Sequence, residues 1–295
     1  MKTISHQMVL AAMLGLWTAS AAAEVSPPAA DVIRREPANE AEVQQQNKYL
    51  EKVTPQQYAE WVSYVNSLTP ENQVWARTLE DKLGSFYAPP YMKDIVRGKI
   101  DPENDAWGYV KDQPELPRVL IIGDSISRGY TAPVRRELKG KANVHRAPAN
   151  CGKTENFFRD GEGWLLQNGS NRWDVITLNF GIHDKDRKPA EYAEYLKKIF
   201  ARLRQTGATL LWVRTTPFGP IREQGPGADL SVGINETADR VAKEEGLEVI
   251  DSHAAVIHDM ATLQTKDNIH VNEDGLNRLG HLVATALAPH LKAKP

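Results

Sequence analysis

The sequence contains a single cysteine, Cys151, in 295 residues. No intrachain disulfide can form, so even in an oxidising compartment the fold must stand on its apolar core. Charge of one sign is also lacking: 36 Lys and Arg face 38 Asp and Glu, a formal net charge of −2. Without a basic block the chain is poorly suited to nucleic acid, and no such partner is expected. No stretch approaches the length and apolarity of a membrane span. Charged residues at 25% and the AVILMFWYC set at 41% are ordinary globular values. They exclude a disordered, collagen-like or disulfide-scaffold chain.

The first 23 residues read as an export signal. Lys2 supplies the positive end, Met8 to Trp17 an apolar run of signal length, and Ala21-Ala22-Ala23 a cleavage site before Glu24. A periplasmic or secreted chain is expected, with no stable membrane insertion after cleavage. Residues 24–116 are expected to form a leader and a helical extension, and residues 117–295 the main domain. The leader, to about residue 40, is rich in Pro, Ala and charge and reads as disordered. Thr54-Pro55-Gln56-Gln57 and Thr69-Pro70-Glu71 are helix starts, each with an N-cap Thr and a Pro at the first helical position. Gly84 is a plausible stop, and Pro89-Pro90 and Asp101-Pro102 are expected to break the helical pattern.

From Pro117 the pattern becomes alternating strands and helices. The strands are Val119–Ile122, Val175–Leu178, Leu210–Val213 and Val249–Ile250, with Asn143–His145 as a candidate edge. Apolar runs without period-2 alternation suit strands buried on both faces. Amphipathic helices lie between them, including Tyr192–Leu203 with Gly207 as its stop, and a last one over Leu276–Leu287. This order predicts a doubly wound three-layer α/β/α domain, with ligands bound beyond the carboxyl ends of the strands.

The loops at those ends carry chemistry. Gly123-Asp124-Ser125 follows the first strand, and a serine on a tight strand-to-helix turn suits a nucleophile. Asn150-Cys151-Gly152 follows the second, where a glycine lets the backbone approach a bound group and donate an N–H. Asn179-Phe180-Gly181-Ile182-His183-Asp184 follows the third. Asp267-Asn268-Ile269-His270 precedes the last helix, and an aspartate three residues before a histidine can orient its ring towards a serine. Each motif alone is common; the four in order are not.

Together they resemble the SGNH/GDSL hydrolase family over roughly residues 117–291, with the extension unaccounted for. The resemblance implies a flavodoxin-like parallel sheet and a triad with no metal and no cofactor. Ser125 would be the nucleophile, His270 the general base and Asp267 its orienting partner. The Ser125 and Gly152 N–H groups would be oxyanion donors. The third block departs from the usual G-x-N-D, because His183 stands where the family has the Asn that supplies the third donor. His183 is the preferred third donor and Asn179 the alternative. The Asn-aromatic-Gly-x-His-Asp block and the Pro-Ala-Asn-Cys-Gly stretch are similar to carbohydrate-acting members. An acylated carbohydrate or other small ester is therefore the expected partner, and a serine esterase removing a short acyl group, acetyl first among them, the expected activity. A non-hydrolytic glycan-binding module and an acyltransferase are the alternatives. Gly181-Ile182-His183-Asp184 is also similar to a metallophosphoesterase block, but that chemistry needs an early D-x-H, and Asp124 is followed by Ser125 and Ile126. Cys151 is expected to be a buried packing residue. Trp164 and Trp173 are expected in the core or a wall, with stacking on a sugar ring as the alternative.

Overall fold

A computed structural model describes residues 52–292. The signal and leader assigned from sequence lie outside these residues. Five parallel strands form one sheet in the order β2-β1-β3-β4-β5: β1 Arg118–Ile122, β2 Asn143–Arg146, β3 Val175–Leu178, β4 Thr209–Val213 and β5 Glu248–Ile250. The chain steps from β1 outward to β2, then returns to the other side of β1 as β3. That reversal opens a crevice beyond the carboxyl ends of β1 and β3.

Alternate strand residues serve opposite layers, so both faces of the central strands are mostly apolar. Leu120, Ile122, Ile176, Leu178 and Trp212 pack with α5 (Thr154–Leu165), α6 (Pro189–Arg204) and α8 (Val232–Glu244). Val119, Ile121, Val175, Leu211 and Val213 pack with α4 (Ser125–Glu137) and α11 (Glu273–Leu287). The three-layer expectation holds, and Trp164 and Trp173 both lie buried in the first of these cores, where neither ring is open to stack on a sugar. At the sheet edge, Arg135 Nε donates to the Val144 carbonyl (3.0 Å) and Gln167 Nε2 to that of Arg146 (3.0 Å).

The extension forms three helices, α1 Pro55–Asn66, α2 Pro70–Lys82 and α3 Gly84–Val96. Thr54 closes a capping box with Gln57 at the start of α1. Trp61, Val65, Leu79, Leu83, Tyr91, Met92 and Trp107 make a small core of their own. One expectation fails here: Pro89-Pro90 does not break the pattern but lies inside α3. Pro89 has no N–H for the Ser85 carbonyl, and Lys52 Nζ donates to that carbonyl instead (3.2 Å).

The segment after α3 is tied to β2. Asp112 accepts from His145 Nε2 (2.7 Å) and Asn168 Nδ2 (3.0 Å), with Arg118 Nε 3.2 Å away. Burial alone would raise the Asp112 carboxyl, but these hydrogen bonds and the Arg118 charge outweigh it and hold it at about 2. Burial pushes His145 down by more than its bond to Asp112 raises it. Both shifts have the same consequence. A depressed acid gives stability that is present above the usual carboxylate range and lost as pH falls towards its folded value. A depressed imidazole gives stability that is present above about 6.5 and lost as pH falls below it. Thermal unfolding followed from pH 7.5 to pH 3 should therefore show Tm falling in two steps, below about 6.5 and below about 4. His145→Gln should flatten the first step.

Candidate active site

The site is built from four turns at the carboxyl end of the sheet. β1 gives way to Gly123, where an added Cβ would lie 2.7 Å from Ser127 Oγ. No larger residue leaves the turn intact. Asp124 caps α4 by accepting from the Ile126 N–H (2.9 Å), which makes Ser125 the first helical residue. Its N–H is one of the helix-start donors with no partner inside the helix. Ser125 Oγ lies 2.7 Å from His270 Nε2, and His270 Nδ1 lies 2.5 Å from Asp267 Oδ2.

The loop before α11 prepares the histidine. Asp267 Oδ1 accepts from Thr265 Oγ1 (2.7 Å) and from the N–H groups of Ile269 and His270 (3.0 Å each). Asn268 takes a positive φ of 59° to close this turn. Partial burial would raise the Asp267 carboxyl, but the bond to the His270 ring, with those from Thr265 and the two backbone groups, pulls it well below the carboxylate range. Asp267 stays an anion at any pH near neutrality. It holds Nδ1 protonated and leaves the Nε2 lone pair facing Ser125.

Gly152 has φ +62°, the left-handed region that favours glycine. Its N–H donates to no described residue. The preceding carbonyl, of Cys151, accepts from Asn156 Nδ2 (2.9 Å), which fixes the orientation of that peptide. Cys151 itself is buried, and burial pushes its thiol up to about 12, so it is no nucleophile at neutral pH.

The two candidates for the third donor differ sharply. Asn179 is buried and donates through Nδ2 to the Val213 carbonyl (2.8 Å) and to Thr215 Oγ1 (3.2 Å), which occupies both its amide hydrogens. His183 sits exposed in a short 3₁₀ turn, Ile182–Asp184, and its ring bonds to no described residue. Asp184 is structural: it accepts from the Thr154 N–H (2.8 Å), Thr154 Oγ1 (3.0 Å) and Arg187 Nε (2.7 Å). Those bonds commit both oxygens and join the third turn to the start of α5. Among the described residues no group of three His, Cys, Asp or Glu is placed to hold a metal ion.

Sequence reasoning missed Arg146, the last residue of β2. Fully buried, it donates through Nη2 to the carbonyls of Gly123 (3.1 Å) and Asp124 (2.9 Å) and through Nη1 to Ser127 Oγ (2.9 Å). The Asp124 carbonyl belongs to the peptide that carries the Ser125 N–H, so this bond both fixes and polarises that donor. The only signal in the sequence was a charge at a strand's carboxyl end. Arg146→Met keeps the length but leaves these acceptors unpaired. A loss of about 2 kcal/mol is expected, seen as a Tm lower by about 4–8 °C, with kcat reduced alongside.

Comparison with known proteins places this geometry. Among curated proteins no sequence matches the chain. Solved structures do: a lipase/acylhydrolase from Enterococcus faecalis is 19% identical with a TM-score of 0.51, covering 61% of this chain and 99% of its own. A member of the lipolytic G-D-S-L family from Veillonella parvula is 20% identical (TM-score 0.46; 57% and 96% covered). An acetyl xylan esterase is 16% identical (TM-score 0.47; 58% and 99% covered). At such identities the Enterococcus structure speaks for the fold alone. The family assignment comes from the sequence itself, because residues 121–278, more than half of the chain, match the profile described as GDSL-like lipase/acylhydrolase. The serine turn, the sheet order and this match converge on one statement: the chain belongs to the GDSL-like lipase/acylhydrolase family, the SGNH hydrolases of esterase and lipase type.

Proposed function

We propose that this acylhydrolase is an exported serine esterase that removes a short acyl group, acetyl first among them, from a carbohydrate. The observation that carries the reading is the unbroken hydrogen-bond chain from Asp267 through His270 to Ser125, next to the Ser125 and Gly152 N–H groups, which donate to no described residue. Ser125 Oγ attacks the ester carbonyl as its proton passes to His270 Nε2. The oxyanion forms against the N–H groups of Ser125 and Gly152, with the His183 imidazole as third donor. Collapse breaks the C–O bond, and His270 returns the proton to the departing sugar oxygen. Water then gives a proton to His270, attacks the acyl-Ser125 ester, and the free acid leaves as the serine regains its proton.

The short acyl group rests on the likeness to sugar-acting members, and one feature supports hydrolysis over transfer. The side chains of His270 and Asp267 are 40% and 48% exposed, so water reaches the acyl-enzyme. The carbohydrate rests on the likeness of the Asn150–Gly152 and Asn179–Asp184 blocks to sugar-acting members. Released acid should be measured on p-nitrophenyl esters from acetyl to dodecanoyl and on acetylated glycans. Activity is expected to peak at acetyl and to extend to a glycan. A maximum at long chains would make the protein a lipase, and no release from any ester would remove the esterase reading.

A further inference from the structure

The flanks of α4 show what stands on either side of Ser125. On one flank, Gly129 and Gly280 permit close packing of α11: an added Cβ at Gly129 would lie 2.5 Å from Leu276, and one at Gly280 2.2 Å from Pro133. α11 follows directly from His270, so this is the histidine side. The other flank carries Arg128 and, two turns further on, Arg135. Both face the extension: Arg135 Nη1 donates to the Asp105 carbonyl (2.6 Å), and the Arg128 guanidinium lies 5.1 Å from the ring centres of both Tyr87 and Trp107. At 100° per residue Ser125 projects between these two flanks. The extension is therefore the second wall of the site.

Arg128 is unusual in that wall. It is half-buried, yet its guanidinium forms no ion pair and no hydrogen bond with any described residue. Arg97 and Arg172 also lack side-chain partners among the described residues, but they are exposed on the surface. The rings of Tyr87 and Trp107 hold the cation from the extension side. Its nitrogens are not sealed from solvent, so its donors remain open to a ligand. Arg128 stands one helical turn after Ser125 on α4, and a long helical side chain leaning towards the helix start brings such a fork within reach of the serine turn. Beside it Phe86, 74% exposed, packs edge-on against Tyr87 with ring centres 4.8 Å apart. A planar fork of free donors next to an exposed aromatic face matches a planar carboxylate on a sugar ring.

We infer that Arg128 binds a carboxylate on the alcohol side of the ester, which makes the substrate an acylated acidic carbohydrate such as a uronate. This rests on the esterase reading above and narrows its substrate class. The test compares an O-acetylated oligogalacturonide with the same oligosaccharide after its carboxylates are converted to amides. The wild-type enzyme should show kcat/KM about tenfold or more higher on the acid. The difference should lie in KM, as expected of a contact made equally in ground and transition states. It should also shrink as salt is raised. In Arg128→Gln the acid-to-amide ratio should fall to about one, and Arg128→Lys, which keeps the charge but loses the fork, should lie between. Equal or better use of the amide by the wild type overturns the assignment without any variant, as does an unchanged ratio in Arg128→Gln. If neither oligosaccharide nor p-nitrophenyl acetate is cleaved, the esterase reading fails and this one falls with it. Cleavage of both sugars at equal efficiency removes only the role of Arg128.

Discussion

Ser125→Ala is expected to lower kcat by about 10⁴-fold or more on any acyl ester the enzyme accepts. In the proposed mechanism the serine supplies the attacking oxygen, and no described group stands ready to replace it. Cys151 is buried with its thiol pushed up to about 12. Ser127, the other serine of the turn, is buried and donates its hydroxyl to the Asp124 carbonyl (2.8 Å). The fold should hardly notice the change, because Ser125 Oγ hydrogen-bonds only to His270 among the described residues. Circular dichroism and Tm should match the wild type. Activity that survives in a pure Ser125→Ala sample would end the acyl-enzyme mechanism, whatever the family.

His183→Ala comes next in size. A donor to the oxyanion strengthens as charge builds on the substrate oxygen, so its loss acts on kcat more than on KM. Removal of one such donor typically costs about 10²–10³ in kcat, and His183→Ala should fall in that range. His183→Asn restores an amide donor at the family's usual position and should recover part of the loss. Asn179→Ala should behave differently. Its amide hydrogens are already held by Val213 and Thr215, so its removal should lower Tm more than kcat. If Asn179→Ala is the crippled variant at unchanged Tm while His183→Ala keeps its rate, the third donor is Asn179 and the departure at His183 is structural.

The parts of this molecule that could be read from sequence are those decided locally. Val119–Ile122 is apolar throughout, and Val175–Leu178 at all but Thr177, because both faces are covered, and no tertiary detail was needed to see it. Asp267 and His270 are three residues apart, so one turn brings them together. What escaped depends on distant partners. The helix that runs through Pro89-Pro90 survives with Lys52, far back in the chain, reaching the carbonyl that Pro89 leaves open. Arg146 looks like any strand-end charge until the Gly123–Asp124 turn folds over it. The extension gave helix signals but no hint that Tyr87 and Trp107 would meet Arg128, one turn from Ser125. Nothing within a few residues of any of these positions encodes the contact.

The outer side of β2 has a consequence for solubility. A strand at the border of a sheet presents unpaired carbonyls that can recruit a strand from another molecule. Here two of them, on Val144 and Arg146, accept from the side chains of Arg135 and Gln167. Arg135 also donates to the extension through the Asp105 carbonyl. The extension thus helps to hold the plug that keeps the sheet from growing into its neighbours. A catalytic domain cut free at residue 117 would lose that support and expose a template for edge-to-edge association.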